Sequence, residues 1–309
     1  IEYLRETQKS ALGHIRQLRK IERANYMTID GNTLRCLEVH RTLRSNQRVG
    51  SLLACVDQTR TGMGARLLER WLTFPLVSYW EILARQEAVA FFLDQRDRLA
   101  QLRDLLNECS QIDRISTNIA LGRVRPRELV ALGTTLHILP QIAALLGSPG
   151  DLPDFVAEHH PSLLGLEEPA DLIARAIDPD CPNTLRDGSV IATGFDTEID
   201  RLRAIGTKGQ SWLSEYQQSE TKRTGIPLKV GYNKVFGYYI EVTHVHREKV
   251  PPEYHRKQTL KNAERYITDE LKKYESEVLT AAERAKEREN LLYEQVCRQL
   301  AEHIEAMQD

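Results

Sequence analysis

Lysine, arginine and asparagine gather in one stretch of this chain. Nine Lys/Arg against three Asp/Glu lie between Lys222 and Lys261, although the whole 309-residue sequence carries a formal net charge of -2. Lys229, Asn233, Lys234, Arg256, Lys257, Lys261 and Asn262 supply ammonium, guanidinium and amide donors there. Such groups neutralise phosphates or hydrogen-bond their oxygens, and need no base edge to do so. The chemistry on offer is a sequence-blind grip on a polyanion, of which duplex nucleic acid is the commonest. The same residues also read as solvated charges on a small sheet. Tyr232, Phe236, Tyr238 and Tyr239 recur at strand spacing and are expected to fill a core more than to stack on bases.

Other chemistry is thin. His244-x-His246 puts two imidazoles on one face of an extended strand, with His255 as the nearest third ligand, and a metal site is not expected from so few donors. The five cysteines are spread singly, which suits small core residues in a reducing compartment better than a disulfide framework. No G-x-x-x-x-G-K-[ST], G-x-G-x-x-G, G-x-S-x-G or H-E-x-x-H occurs. Carboxylates mostly sit beside Arg or Lys at helical spacing, as surface pairs do. No residue reads as catalytic, and the chain is not expected to be an enzyme by itself.

The elements that must position the basic stretch are mainly helical. Aromatics make up only 6% of the residues, and Leu, Arg, Glu and Ala dominate. Neither a signal peptide nor a run of about 18 apolar residues is evident, so membrane association is not expected. Helices are expected over residues 1–23, from Ser51 through Leu72, and at 78–93, 96–108, 127–146 and 196–222. Thr61, Ser78 and Pro126 stand at helix starts. Asp30-Gly31-Asn32 reads as a turn joining two strands within 24–37. Asp57–Gly64, with Gly62 and Gly64, reads as a capped turn or as a pivot. Residues 226–244 alternate as a hairpin or small meander, 263–268 as a further strand, and Thr268 caps a long closing helix running to Asp309. Two long helices thus bracket a compact β-rich insert. Both ends of the chain read as cut from a larger protein.

At the insert a family resemblance becomes specific. LKVGYNKVFGYYIEV (228–242) and RKQTLKNAERYITDELKKYE (256–275) closely resemble the clamp region of MutS, the DNA mismatch-recognition ATPase family. SLLACVDQTRTGMGARLLERWLTFPL (51–76) and DGSVIATGFDTEIDRLR (187–203) are similar to that family's core. One departure is Asp113, where the family tends to have Glu before the Arg. The resemblance implies a mostly α fold: a helical-bundle core with long lever helices at 1–208 and 269–309, and a small inserted β-rich clamp at 209–268. It implies that Asn233, Lys234, Arg256, Lys257, Lys261 and Asn262 touch the backbone of double-stranded DNA. The family's mismatch-reading Phe-x-Glu and its phosphate loop are absent from these residues. ATP and Mg2+ are therefore implied for a parent protein and no cofactor for this segment. The parent is expected to be a cytoplasmic, nucleoid-associated homodimer with mismatch-repair partner proteins. A relative that binds recombination junctions, or a helical scaffold docking an acidic protein, are the alternative readings.

Overall fold

The structure is a computed structural model that describes residues 23–233 and 237–308, without the side chains of 23 and 206–211. The helix expected over 1–23 thus lies outside the described residues, apart from Arg23 in a short 3-10 turn. Helices α1 (Gly31–Cys36), α2 (Leu52–Val56), α3 (Gly62–Thr73), α4 (Tyr79–Asp94), α5 (Arg96–Glu108), α6 (Ile112–Ala120), α7 (Pro126–Leu146), α8 (Asp154–His159) and α9 (Glu167–Ala176) come first. The long α10 (Thr197–Thr224) leads into strands β1 (Lys229–Asn233), β2 (Gly237–Thr243), β3 (His255–Thr259) and β4 (Ala263–Ile267), followed by α11 (Asp269–Glu302) and α12 (Ile304–Gln308). This is the mostly α class with a small β insert. The chain divides into two compact units, Ile1–Thr184 with Glu294–Asp309 and Leu185–Tyr293.

The first unit is organised by α7. Its Leu129, Leu132 and Leu136 are fully buried. At Gly133 a Cβ would lie 2.8 Å from Ile173 of α9, so the bare glycine lets the two helices approach. By length and composition α7 could cross a membrane, with a mean hydropathy of 1.7, a run the sequence reading did not recognise. Its apolar residues serve the interior instead: 56% of that stretch is buried.

Local capping chemistry sets the helix starts. Thr61 Oγ1 accepts from Gly64 N at 3.0 Å and Ser78 Oγ from Glu81 N at 3.5 Å. Asp30 overturns the expected hairpin, because its carboxylate accepts from Asn32 N and Thr33 N and caps α1 in place of closing a turn between strands. Asp57–Gly64 is a capped turn with side-chain anchors. Asp57 accepts from Thr59 N and Oγ1, and Arg48 pairs with it. Asp113, the departure noted above, pairs with Arg66 at 2.6 Å.

In the second unit α10 and α11 run antiparallel, as their cross-pairs require. Asp196 meets Arg288 at 2.8 Å, Trp212 stacks on Tyr274 at 3.9 Å, and Tyr216 shares a 2.6 Å hydrogen bond with Thr268. One number falls as the other rises. Asp196 and Thr268 cap the two helices, accepting from Ile199 N and Leu271 N. At its base the pair is tied by Glu289, 4% exposed. One carboxylate oxygen of Glu289 accepts from Val190 N (2.7 Å), Ile191 N (3.0 Å) and Arg203 Nη2 (2.6 Å). A buried charge is tolerated only when paired and hydrogen-bonded in this way. Glu289→Ala should lower the unfolding free energy by about 3 kcal/mol or more, since two buried amides and Arg203 lose their acceptor. Urea unfolding followed by circular dichroism checks this.

Candidate nucleic-acid interface

The sheet has the order β1-β2-β4-β3, with every neighbouring pair antiparallel. One face is apolar: Ile240, Val242 and Tyr266 close on Tyr216, Ile226, Leu228, Tyr254 and Leu271, with Trp212 and Tyr238 alongside. Tyr238 therefore fills the core, as its spacing predicts. Tyr232 is 54% exposed, and Phe236 lies outside the described residues. The other face carries a polar ladder. Arg265 lies over the Tyr239 ring at 4.2 Å, pairs with Glu241 at 3.1 Å and donates to Gln258 at 3.0 Å. Gly237 opens β2 with φ +75°, and a Cβ there would run into the Glu275 carboxylate of α11. Gly237→Ala is accordingly expected to cost more than about 1 kcal/mol, readable as a lower thermal midpoint.

The candidate phosphate ligands fall into two groups. Asn233 ends β1, half-buried, opposite Gly237. Lys234 follows it and lies outside the described residues. Arg256, Lys257, Lys261 and Asn262 are all exposed on the β3–β4 hairpin. Lys257 sits where the β3–β4 register shifts between Arg256 and Gln258, and Lys261 and Asn262 form the connecting turn. Because Thr243 pairs with Ala263, that turn lies at the opposite end of β2 from Asn233. The seven residues of β2 separate that turn from Asn233 by about 20 Å at the usual strand rise, while Arg256, paired with Tyr266 and so level with Ile240, lies midway. The structure therefore places Lys261 and Asn262 together at the turn, Lys257 further back along the same hairpin, and Asn233 at the opposite end of β2.

Electrostatics sorts the cations further. Glu220 is buried and takes both ends of the Arg223 guanidinium, at 2.9 and 2.8 Å, together with the Tyr254 hydroxyl. Those bonds hold its carboxyl below the usual glutamate value, with Arg223 the main cause. Burial, helped by that carboxylate, pushes the Tyr254 phenol up. Glu264, 3% exposed, accepts from the Tyr266 hydroxyl and pairs with Arg256 at 3.4 Å and Arg247 at 3.6 Å. Its carboxyl too is depressed, by the Tyr266 bond above all, while Tyr266 is pushed up to about 12 by burial and by Glu264. Arginines here are held by carboxylates, whereas Lys257 and Lys261 take part in none of the ion pairs among the described residues. Arg247 and Glu264 escaped the sequence reading. Their only signal is that Glu264 and Tyr266 share a strand face two residues apart.

His244 and His246 are on a 3-10 turn (His244–Lys249), not on a strand face as the spacing suggested. β2 ends at Thr243, and the His244 ring contacts the Leu260 carbonyl at 3.0 Å. Among the described residues no group of three His, Cys, Asp or Glu could hold a metal ion.

The family pattern described as MutS domain III matches residues 32–309. The chain belongs to the MutS family. It is 39% identical to the DNA mismatch repair protein MutS of Rhodopirellula baltica over 99% of its length, and 40% identical to that of Methanothrix thermoacetophila over all of it. MutS of Salinibacter ruber is 37% identical, again over the whole chain. The chain spans about a third of the length of these curated relatives, 34–36%. Within this MutS segment the two buried glutamates with depressed carboxyls, Glu220 and Glu264, are expected to couple the stability of the β-rich insert to pH. A depressed carboxyl contributes stability that is complete above the ordinary value of 4.5 and is lost as pH falls through the lower folded value. The urea midpoint should therefore fall on acidification below about pH 4.5, and E264Q should flatten that fall.

Proposed function

We propose that this chain is the DNA-gripping clamp and lever of a MutS-type mismatch-repair ATPase, holding duplex DNA by its backbone without reading sequence. The observation that carries the reading is the exposed β3–β4 hairpin, which carries Lys257, Lys261 and Asn262, with neither lysine in an ion pair among the described residues. Ammonium groups of this kind neutralise phosphates, and the Asn262 amide donates to their oxygens. Asn233, about 20 Å along the sheet from the turn, would meet the same backbone some six phosphates away, at about 3.4 Å of axial rise per phosphate on one strand, and Lys234 follows it in the sequence. Arg256, already shared with Glu264, adds a partly compensated charge.

The core of the clamp is sealed against α10 and α11, so the tip moves with the helices that carry it. The 28 residues of α10 extend about 42 Å at 1.5 Å per residue, a stiff rod able to pass a displacement from base to tip. In this reading the helices relay the ATP state of a motor elsewhere in a larger, homodimeric, cytoplasmic protein, and clamp engagement reports back. The segments at 1–208 and 269–309 act as lever, and 209–268 as clamp. ATP and Mg2+ belong to that motor. This chain has no phosphate loop, and none of its residues is assigned to either.

The isolated chain should bind a duplex oligonucleotide weakly, equally with and without a mismatch, and with affinity that falls steeply as salt rises. Exchanging Lys257 and Lys261 together for Glu should lower affinity by at least about tenfold at low salt, measured by fluorescence anisotropy. Undiminished binding by that variant would end the reading.

A further inference from the structure

Two guanidinium groups converge on a single buried oxygen at the edge of the sheet. Arg256 Nη1 and Arg247 Nε approach Glu264 Oε1 at 3.4 and 3.6 Å, while Tyr266 donates to the other oxygen. Both arginine side chains remain more than half exposed, at 54% and 60%, whereas the glutamate side chain is 4% exposed. Neither pairing is close, so each fork keeps most of its five N–H donors turned to water. Arg256 comes from β3 and Arg247 from the 3-10 turn after β2, so the pair exists only in the folded sheet.

The charge count singles out the ligand. Two guanidinium groups and one carboxylate leave one positive charge in a small volume, and a single phosphodiester carries one negative charge. Planar forks match phosphate oxygens better than ammonium groups do. Glu264 serves as a positioning residue: fixed from below by Tyr266, it draws both forks to one point and keeps them from splaying apart. Lys257 follows Arg256 at the register shift of β3, so the seat lies on the same hairpin as the lysines of the clamp reading. We infer that Arg247 and Arg256, gathered by Glu264, form a two-arginine seat for one backbone phosphate of the bound duplex. This deepens the clamp reading and rests on it.

The test is the salt dependence of duplex binding by the 309-residue chain. Each phosphate neutralised contributes about -0.9 to the slope of log K against log salt. R247A, R256A and the double variant are compared with the unaltered chain by fluorescence anisotropy across a salt series. The expected result is a double variant whose slope is shallower by about 0.9, one phosphate, with each single variant already losing most of that. E264Q raises the net charge of the seat from +1 to +2, so the partial loss of affinity expected of it reports lost positioning against that electrostatic gain, and R247K should restore less than the native arginine, as a positioned fork requires. An unchanged slope, a loss near 1.8, or full function in E264Q and R247K would overturn the seat. Melting curves identify any variant that fails to fold, and R247Q with R256Q then replaces it in the same series. If the unaltered chain binds no duplex at all, the clamp reading fails and takes the seat with it. Binding that survives with its slope intact overturns the seat alone.

Discussion

A carboxylate shut away from water must be supplied with donors, and Glu289 fixes the geometry of the second unit by meeting that demand. Its oxygen collects two backbone amides from the segment before α10 and the guanidinium of Arg203 on α10, while Glu289 itself rides on α11. Three parts of the chain are thereby set in one register. The remaining contacts along the helices follow from it: the Asp196–Arg288 pair, the Trp212–Tyr274 stack and the Tyr216–Thr268 bond. A surface ion pair contributes little and tolerates sliding. A buried, multiply bonded carboxylate does not, because any slip leaves polar groups stranded.

The same economy recurs at the tip with a different outcome. Glu220 and Glu264 are buried beneath arginines and tyrosines, so part of the basic excess of the insert is spent on holding the sheet to its helices. Arg223 and Arg265 are structural in this sense. The lysines of the β3–β4 hairpin are not so engaged, and they are the flexible, fully hydrated kind of cation suited to a backbone that offers no fixed pattern. The cations thus divide into those paired with carboxylates and those left outside such pairs among the described residues.

Much of this was legible in the sequence because capping and alternation are local. Thr61, Asp196, Thr268 and Pro126 mark helix starts within a residue of those observed. Asp30-Gly31-Asn32 misled because the same residue types serve turns and caps, and only the direction of the Asp30 side chain separates them. Strand β3 was hidden: as an edge strand, His255–Thr259 buries almost nothing and shows no alternation. The short helices α6 and α9 offered too few turns for a clear period. At the site, the donors were readable one by one, but their distribution was not. Which candidates meet depends on the order β1-β2-β4-β3, a set of non-local pairings, and Arg247 reaches Glu264 only through that order. The family resemblance places the edges of the insert at 209 and 268, whereas compactness groups residues 185–293, since the helices pack along their length.

The aromatic stack has an optical corollary. Of the three tryptophans, Trp71 and Trp80 belong to the first unit, and Trp212 alone represents the second. Trp80 is 75% exposed, while Trp212 is sandwiched flat between Tyr274 at 3.9 Å and Tyr216 at 5.0 Å. A soluble quencher such as iodide would silence the former and spare the latter. The residual emission, shared with the half-buried Trp71 and fed by neighbouring tyrosines, would then carry a signal from between the two long helices, brightening or dimming as they part or close.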